Sequence, residues 1–235
     1  MKKLSLFFIL IFVGCTTAPT SIHQTQLEKK KNQTSSNLSN VKVGLDVLLD
    51  DRLELIQNKS IGLVTNQTGV DGNGTPNYER FMALDDVTLK IIFSPEHGLF
   101  GEAVAGEKVQ YNGQMKSLPK VVSLYGKNRK PTKEQLADLD IIIYDIQDIG
   151  ARFYTYISTM GLVMAAAAEA GIQIIVLDRP NPITGNQVEG PILNLNNQSF
   201  VGYYPIPIRY GLTVGELAKM IVGEKWIDLI PDLLV

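Results

Sequence analysis

Five short runs of β-branched and other apolar residues set the strongest constraint on how this 235-residue chain can fold. They are Ser60 to Asn66, Val87 to Ser94, Lys120 to Tyr125, Asp140 to Ile146 and Ile172 to Asp178. Ile141-Ile142-Ile143 and Ile174-Ile175-Val176 show no alternation of apolar and polar side chains. Strands of that kind have both faces covered, as in a parallel sheet flanked by helices. Stretches with helical spacing separate most of the runs. Leu45 to Gln57 and Tyr78 to Leu84 are amphipathic, and Thr132 opens a helix with Gln135 at capping-box spacing. Thr155 to Ala170 is long and almost wholly apolar, and Gly171 stops it. Its alanines, Ala165 to Ala168, let a helix lie close on a sheet. The alternation predicts an α/β fold with a doubly wound, mostly parallel sheet.

The first forty residues have a different character. Lys2 and Lys3 precede an apolar stretch from Leu4 to Val13, too short for a stable membrane span and suited to a secretory signal peptide. It ends at Phe12-Val13-Gly14-Cys15, which resembles a bacterial lipobox, with Phe12 standing where Leu is usual. The reading is a lipoprotein signal peptide over residues 1–15 and lipidation at Cys15. Thr17 resembles the outer-membrane sorting pattern, so the expected location is the outer membrane, facing the periplasm. Residues 16–40 are polar and without core-forming content, and are read as a disordered tether.

Composition closes several routes. Cys15 is the only cysteine, which excludes an intramolecular disulfide and a cysteine zinc cluster. His23 lies in the polar tail, so His97 is the one histidine expected in the fold. A formal charge of −2 argues against an electrostatic nucleic-acid binder. There is neither a GxGxxG nor a Walker loop.

In open parallel sheets, ligands bind beyond the carboxyl ends of the strands. Four of the runs are followed there by unusual polar sequence. These are Thr65-Asn66-Gln67-Thr68-Gly69, Pro95-Glu96-His97-Gly98, Asp145 through Tyr154, and Asp178-Arg179-Pro180-Asn181-Pro182. A metal site built from Glu96, His97, Asp145 and Asp148 lacks diagnostic ligand spacing, and the expectation is no metal and no cofactor. The mixture of carboxylates, arginines and aromatics suits carbohydrate. Glu96, in a tight turn after a buried strand, is the best candidate general acid, and His97 is a candidate to orient it or to bond the substrate. Turn and cap chemistry draws on the same residue types, so each assignment has a structural alternative.

The blocks Phe93 to Gly98, Asp145 to Tyr156 and Leu177 to Pro182 resemble the signature blocks of the exo-β-N-acetylmuramidase family, long known only as DUF1343. So do Glu189-Gly190-Pro191, Ser199 to Gly202 and Gly211 to Leu217. The resemblance runs from about Val43 to the end of the chain. It implies a Rossmann-like catalytic domain, taken as residues 41–225, that releases N-acetylmuramic acid from the non-reducing end of peptidoglycan-derived muropeptides or disaccharides. It also implies a smaller C-terminal domain, of which residues 226–235 are read as the start; a cleft missing that wall is expected to impair turnover. The alternative is a non-catalytic, membrane-tethered muropeptide-binding module. In this resemblance Glu96 is the catalytic residue. Asp145, Asp148 and Glu189 are each candidates for a second catalytic group, as is the substrate's own acetamido group. Arg152, Arg179 and Arg209 are candidate forks for the lactyl carboxylate of muramic acid, or structural ion pairs with a nearby Asp such as Asp148 or, for Arg179, the adjacent Asp178. Tyr154 and Tyr156 are candidates for stacking on a sugar ring, and Asn66 and Asn181 for bonding its polar groups.

Overall fold

The apolar runs form strands, and their order in space determines where a site can lie. The computed structural model describes residues 41–104, 107 and 117–235. Cys15, the tether and His23 lie outside the described residues. The strands are β1 (Lys59–Thr65), β2 (Val87–Ser94), β3 (Lys120–Ser123), β4 (Ile141–Asp145), β5 (Gln173–Val176) and β6 (Leu233–Leu234). They make one sheet in the order β3-β2-β1-β4-β5-β6, and every neighbouring pair is parallel. This is a Rossmann-like arrangement, doubly wound from the centre outward. Leu233 and Leu234 belong to the segment read from sequence as the start of a further domain. Here they pair with Ile174 and Ile175 as the sixth strand.

The helices are α1 (Gly44–Asp51), α2 (Asn77–Met82), α3 (Lys133–Leu136), α4 (Tyr156–Ala170) and α5 (Val214–Gly223). One core lies on the face carrying α1 and α2, where Leu45, Leu48 and Phe81 meet Ile61, Leu63, Ile92 and Ile143. The other lies under α3, α4 and α5, around Val64, Phe93, Ile142 and Tyr144. Adjacent residues of β4 thus feed opposite cores, which is why the run has no polar position. Burying each such side chain contributes roughly 1.5–3 kcal/mol. The expected helix from Leu45 to Gln57 is shorter than predicted. It breaks at Arg52 into a 3₁₀ turn, Leu53–Leu55.

Helix α4 explains its own composition. Its first six residues are all buried, because the sheet covers one side and the segment around Phe200 and Tyr204 covers the other. A Cβ at Gly161 would overlap the Tyr204 hydroxyl, so glycine is what permits this close approach. Gly171 ends the helix in the left-handed conformation, at φ 68°. Among the described residues, no helix is long and apolar enough to cross a membrane. Both α3 and α5 begin with a complete capping box, Thr132 with Gln135 and Thr213 with Glu216.

Candidate active site

The C-terminal ends of β1, β2 and β4 bring together most of the residues singled out from sequence, in two separate clusters. The first fills the gap between β1 and β4, where the strand order reverses. Asp145, fully buried at the end of β4, accepts from Arg179 Nε at 2.6 Å and Nη2 at 3.0 Å, and from Asn77 Nδ2 at 2.8 Å. Arg179, itself 5% exposed, also donates to the Val70 carbonyl. Thr65 Oγ1 donates to the Asp145 carbonyl. Asp145 and Arg179 are therefore committed to each other, and the arginine's partner is neither Asp178 nor Asp148. Asp178 instead anchors α5, accepting from Thr213 Oγ1 at 2.7 Å and the Gly215 amide at 2.8 Å.

Asp148 lies beside this cluster in a crevice with Gln147, Asn181 and Tyr210, too tight to admit a water molecule. Its Oδ2 accepts from the Tyr210 hydroxyl and from the Gly150 amide. Oδ1 is buried without a partner. Burial pushes the Asp148 carboxyl above the usual carboxylate range, against the opposing pull of the Tyr210 hydroxyl and backbone amides. Burial likewise pushes the Tyr210 phenol well up. Asn181 closes its own loop, accepting from the Ile183 amide and donating to the Leu212 carbonyl.

The second cluster surrounds Glu96. Pro95 to Gly98 form a turn closed by the Gly98 amide on the Pro95 carbonyl, with His97 at φ 70° and Gly98 at φ 79°. A positive φ at the third position is the signature of a type II turn, and a side chain there is held against its preference. The turn lifts Glu96 off the end of β2, half-buried, toward the start of α4. Thr155, at the N-cap of α4, makes no capping bond. Its hydroxyl donates to Glu96 Oε2 at 2.8 Å instead. The Tyr125 hydroxyl faces Glu96, whose carboxylate holds that phenol's proton on. His97 Nδ1 lies 2.8 Å from the Ala103 carbonyl, which can only accept. Nδ1 therefore donates there, and the tautomer so fixed presents Nε2 as the acceptor.

Asn66 is buried at the base of the site. Its Oδ1 accepts from Thr68, while Nδ2 faces the Tyr156 side without a bond of normal length. Tyr156 is buried, whereas Tyr154 is 41% exposed with its ring 5.9 Å from that of exposed Phe153. The remaining arginine candidates hold loops. Arg152 Nη1 donates to the carbonyls of Pro191 and Ile206. Arg209 bonds Glu189 at 2.7 Å and the Ile183 carbonyl, and its backbone pairs with that of Glu189. Among the described residues, no three His, Cys, Asp or Glu side chains are close enough to hold a metal ion.

Sequence reasoning passed over Thr155, Tyr125, Arg129 and Phe200 as individual site residues. Arg129 lies with its guanidinium carbon 4.3 Å from the centre of the Phe200 ring. The Tyr125 and Phe200 rings are 6.5 Å apart. The available signal was position, because Tyr125 and Arg129 follow β3 at the same sheet edge as the other motifs.

Comparison with known proteins places these features in a family. Residues 61–235 match the family model described as exo-beta-N-acetylmuramidase NamZ, N-terminal. The chain is 44% identical over 231 residues to the peptidoglycan beta-N-acetylmuramidase NamZ of Bacillus subtilis strain 168, an alignment covering 97% of this chain and 54% of that protein. It therefore spans about half the length of this curated relative. Two crystal structures of DUF1343 family proteins from Bacteroides fragilis NCTC 9343 are similar. One has a TM-score of 0.76 at 45% identity and the other 0.69 at 37%, each covering 83% of this chain and about half of the other.

Proposed function

The chain belongs to the exo-β-N-acetylmuramidase NamZ N-terminal family, and we propose from this that it is a glycosidase releasing N-acetylmuramic acid from the non-reducing end of peptidoglycan fragments. The observation that carries the reading is the setting of Glu96. A carboxyl at the exit of a buried strand is fixed through Thr155 Oγ1, beside the Tyr125 phenol, on a strained turn that points it away from the sheet. In its protonated form it donates to the glycosidic oxygen as the bond to the anomeric carbon breaks, and the leaving sugar departs with that proton. His97 Nε2 is free to accept from a substrate hydroxyl. Exposed Tyr154 and Phe153 offer apolar faces to a pyranose ring. Asp145 and Glu189 are engaged in ion pairs and Asp148 is closed into its crevice, which leaves the substrate's acetamido oxygen as the second group. Export and lipidation at Cys15 form part of the same proposal, since the substrate lies outside the cytoplasm.

The test is release of free N-acetylmuramic acid from a muramyl-glucosamine disaccharide by the chain and by Glu96→Gln. Turnover lost in the variant, with disaccharide affinity retained, supports the hydrolase. No turnover by the wild-type chain, with affinity unchanged in Glu96→Gln, favours the membrane-tethered binding module.

A further inference from the structure

We infer that Arg129 is the specificity residue of this site, the group that reads the lactyl carboxylate distinguishing N-acetylmuramic acid from N-acetylglucosamine; the assignment rests on the muramidase reading above. The chain has six arginines. Arg52 pairs with Glu54, Arg80 with Asp71, Arg179 with Asp145 and Arg209 with Glu189. Arg152 is engaged with two carbonyls. Arg129 forms no ion pair among the described residues, and its recorded contact is the face of Phe200.

That contact orients the guanidinium without consuming its donors. A guanidinium held over a ring face is attracted by the ring's π electrons and keeps its N–H groups as donors. This leaves the two-pronged edge that matches a carboxylate. The platform is fixed as well. Ser158 of α4 donates to the Phe200 carbonyl at 2.8 Å, and Phe200 is itself buried. Thr155, one helical turn earlier, holds Glu96. A single helix turn thus sets both the acid and the arginine's platform.

Tyr125 neighbours both, its ring 6.5 Å from that of Phe200 and its phenol held protonated by nearby Glu96. In muramic acid the lactyl ether and the scissile anomeric bond are on one pyranose ring. A proton donor and a carboxylate fork in one loop cluster serve two positions of one such ring. The positive charge also offsets the repulsion that a substrate carboxylate would meet near Glu96.

The test is equilibrium binding of N-acetylmuramic acid, its carboxyl methyl ester and N-acetylglucosamine to the full chain, to Arg129→Gln and to Arg129→Lys, followed by calorimetry. The wild-type chain should prefer N-acetylmuramic acid over N-acetylglucosamine by roughly 10- to 100-fold, as expected for hydrogen bonds to a charged group. Arg129→Gln should bring the two sugars near parity, Arg129→Lys should retain part of the preference, and the methyl ester should bind wild type like N-acetylglucosamine. Full preference retained in folded Arg129→Gln or undiminished in Arg129→Lys would overturn the assignment of Arg129 and leave the muramidase reading standing. A wild-type chain that binds neither sugar, or does not tell them apart, would remove both.

Discussion

Replacing Asp145 by Asn separates the structural role of this carboxylate from a catalytic one. The side chain is fully buried and accepts three hydrogen bonds, two of them from a guanidinium that is 5% exposed. An amide keeps the shape but loses the charge, and it turns an NH2 against one of the three donors. Arg179 is then left charged, buried and unmatched. Breaking a buried pair in this way costs about 3–5 kcal/mol. For a domain of this size each kcal/mol moves Tm by about 2–4 °C, so the fall should be roughly 6–20 °C. Thermal and urea unfolding followed by circular dichroism measure it. The double variant Asp145→Leu with Arg179→Met, which removes both charges, should lose less than Asp145→Asn alone. A single variant that loses under about 1 kcal/mol while abolishing turnover would refute the reasoning. Such a result would assign the carboxylate to the chemistry.

Three further expectations come from other places in the fold. Gly161→Ala should destabilise the chain by about 1–3 kcal/mol, because the new methyl meets the Tyr204 hydroxyl; Tyr204→Phe, which deletes a buried hydroxyl without a partner, should restore much of that in a urea titration of the double variant. For Asp148 the sign follows from its raised folded-state carboxyl: its contribution to stability is full below the unfolded value and is lost as pH rises through the folded one. Urea midpoints from pH 4 to 7 should therefore show wild type losing ground to Asp148→Asn as pH increases, and a constant or reversed gap would contradict this. Thr155→Val should lower turnover about tenfold or more with little loss of stability, because its hydroxyl serves Glu96 and not the helix cap; an unchanged rate would show that Thr155 does not position the acid.

The fold was legible where burial on both faces removes polar residues from a strand. Ile141 to Ile143 and Ile174 to Val176 announced the sheet centre for that reason. Leu233 and Leu234 did not announce β6, since two residues after a proline carry no periodicity. Helix α5 carried a readable capping box at Thr213 and Glu216, but Gly215 and Gly223 within it weaken the helical pattern. The place of Glu96 on a turn beyond β2 was legible because a strand, a turn and a carboxylate follow one another in sequence. The partnership of Asp145 with Arg179 was not. It spans 34 residues and exists only because β4 and β5 are neighbours, which sets their exits side by side. Arg179 was weighed against the adjacent Asp178 because sequence shows adjacency along the chain and not across the sheet. Arg129 was hidden for the same reason, its aromatic platform being supplied by a distant loop.

The filled gap between β1 and β4 has a consequence for how the molecule can be altered. In sheets of this strand order, that gap is the natural socket for a nucleotide's phosphates. Here Asn77, Asp145 and Arg179 cork it, and the proposed acid and arginine, Glu96 and Arg129, stand one and two strands outward, at the exits of β2 and β3. The cork and these two proposed groups are thereby housed in different loops. Grafts meant to change the sugar accepted belong after β2 and β3, where the backbone can be redrawn without disturbing the cork. The same insertions after β1 or β4 would pull it out, and the sheet would loosen from its middle.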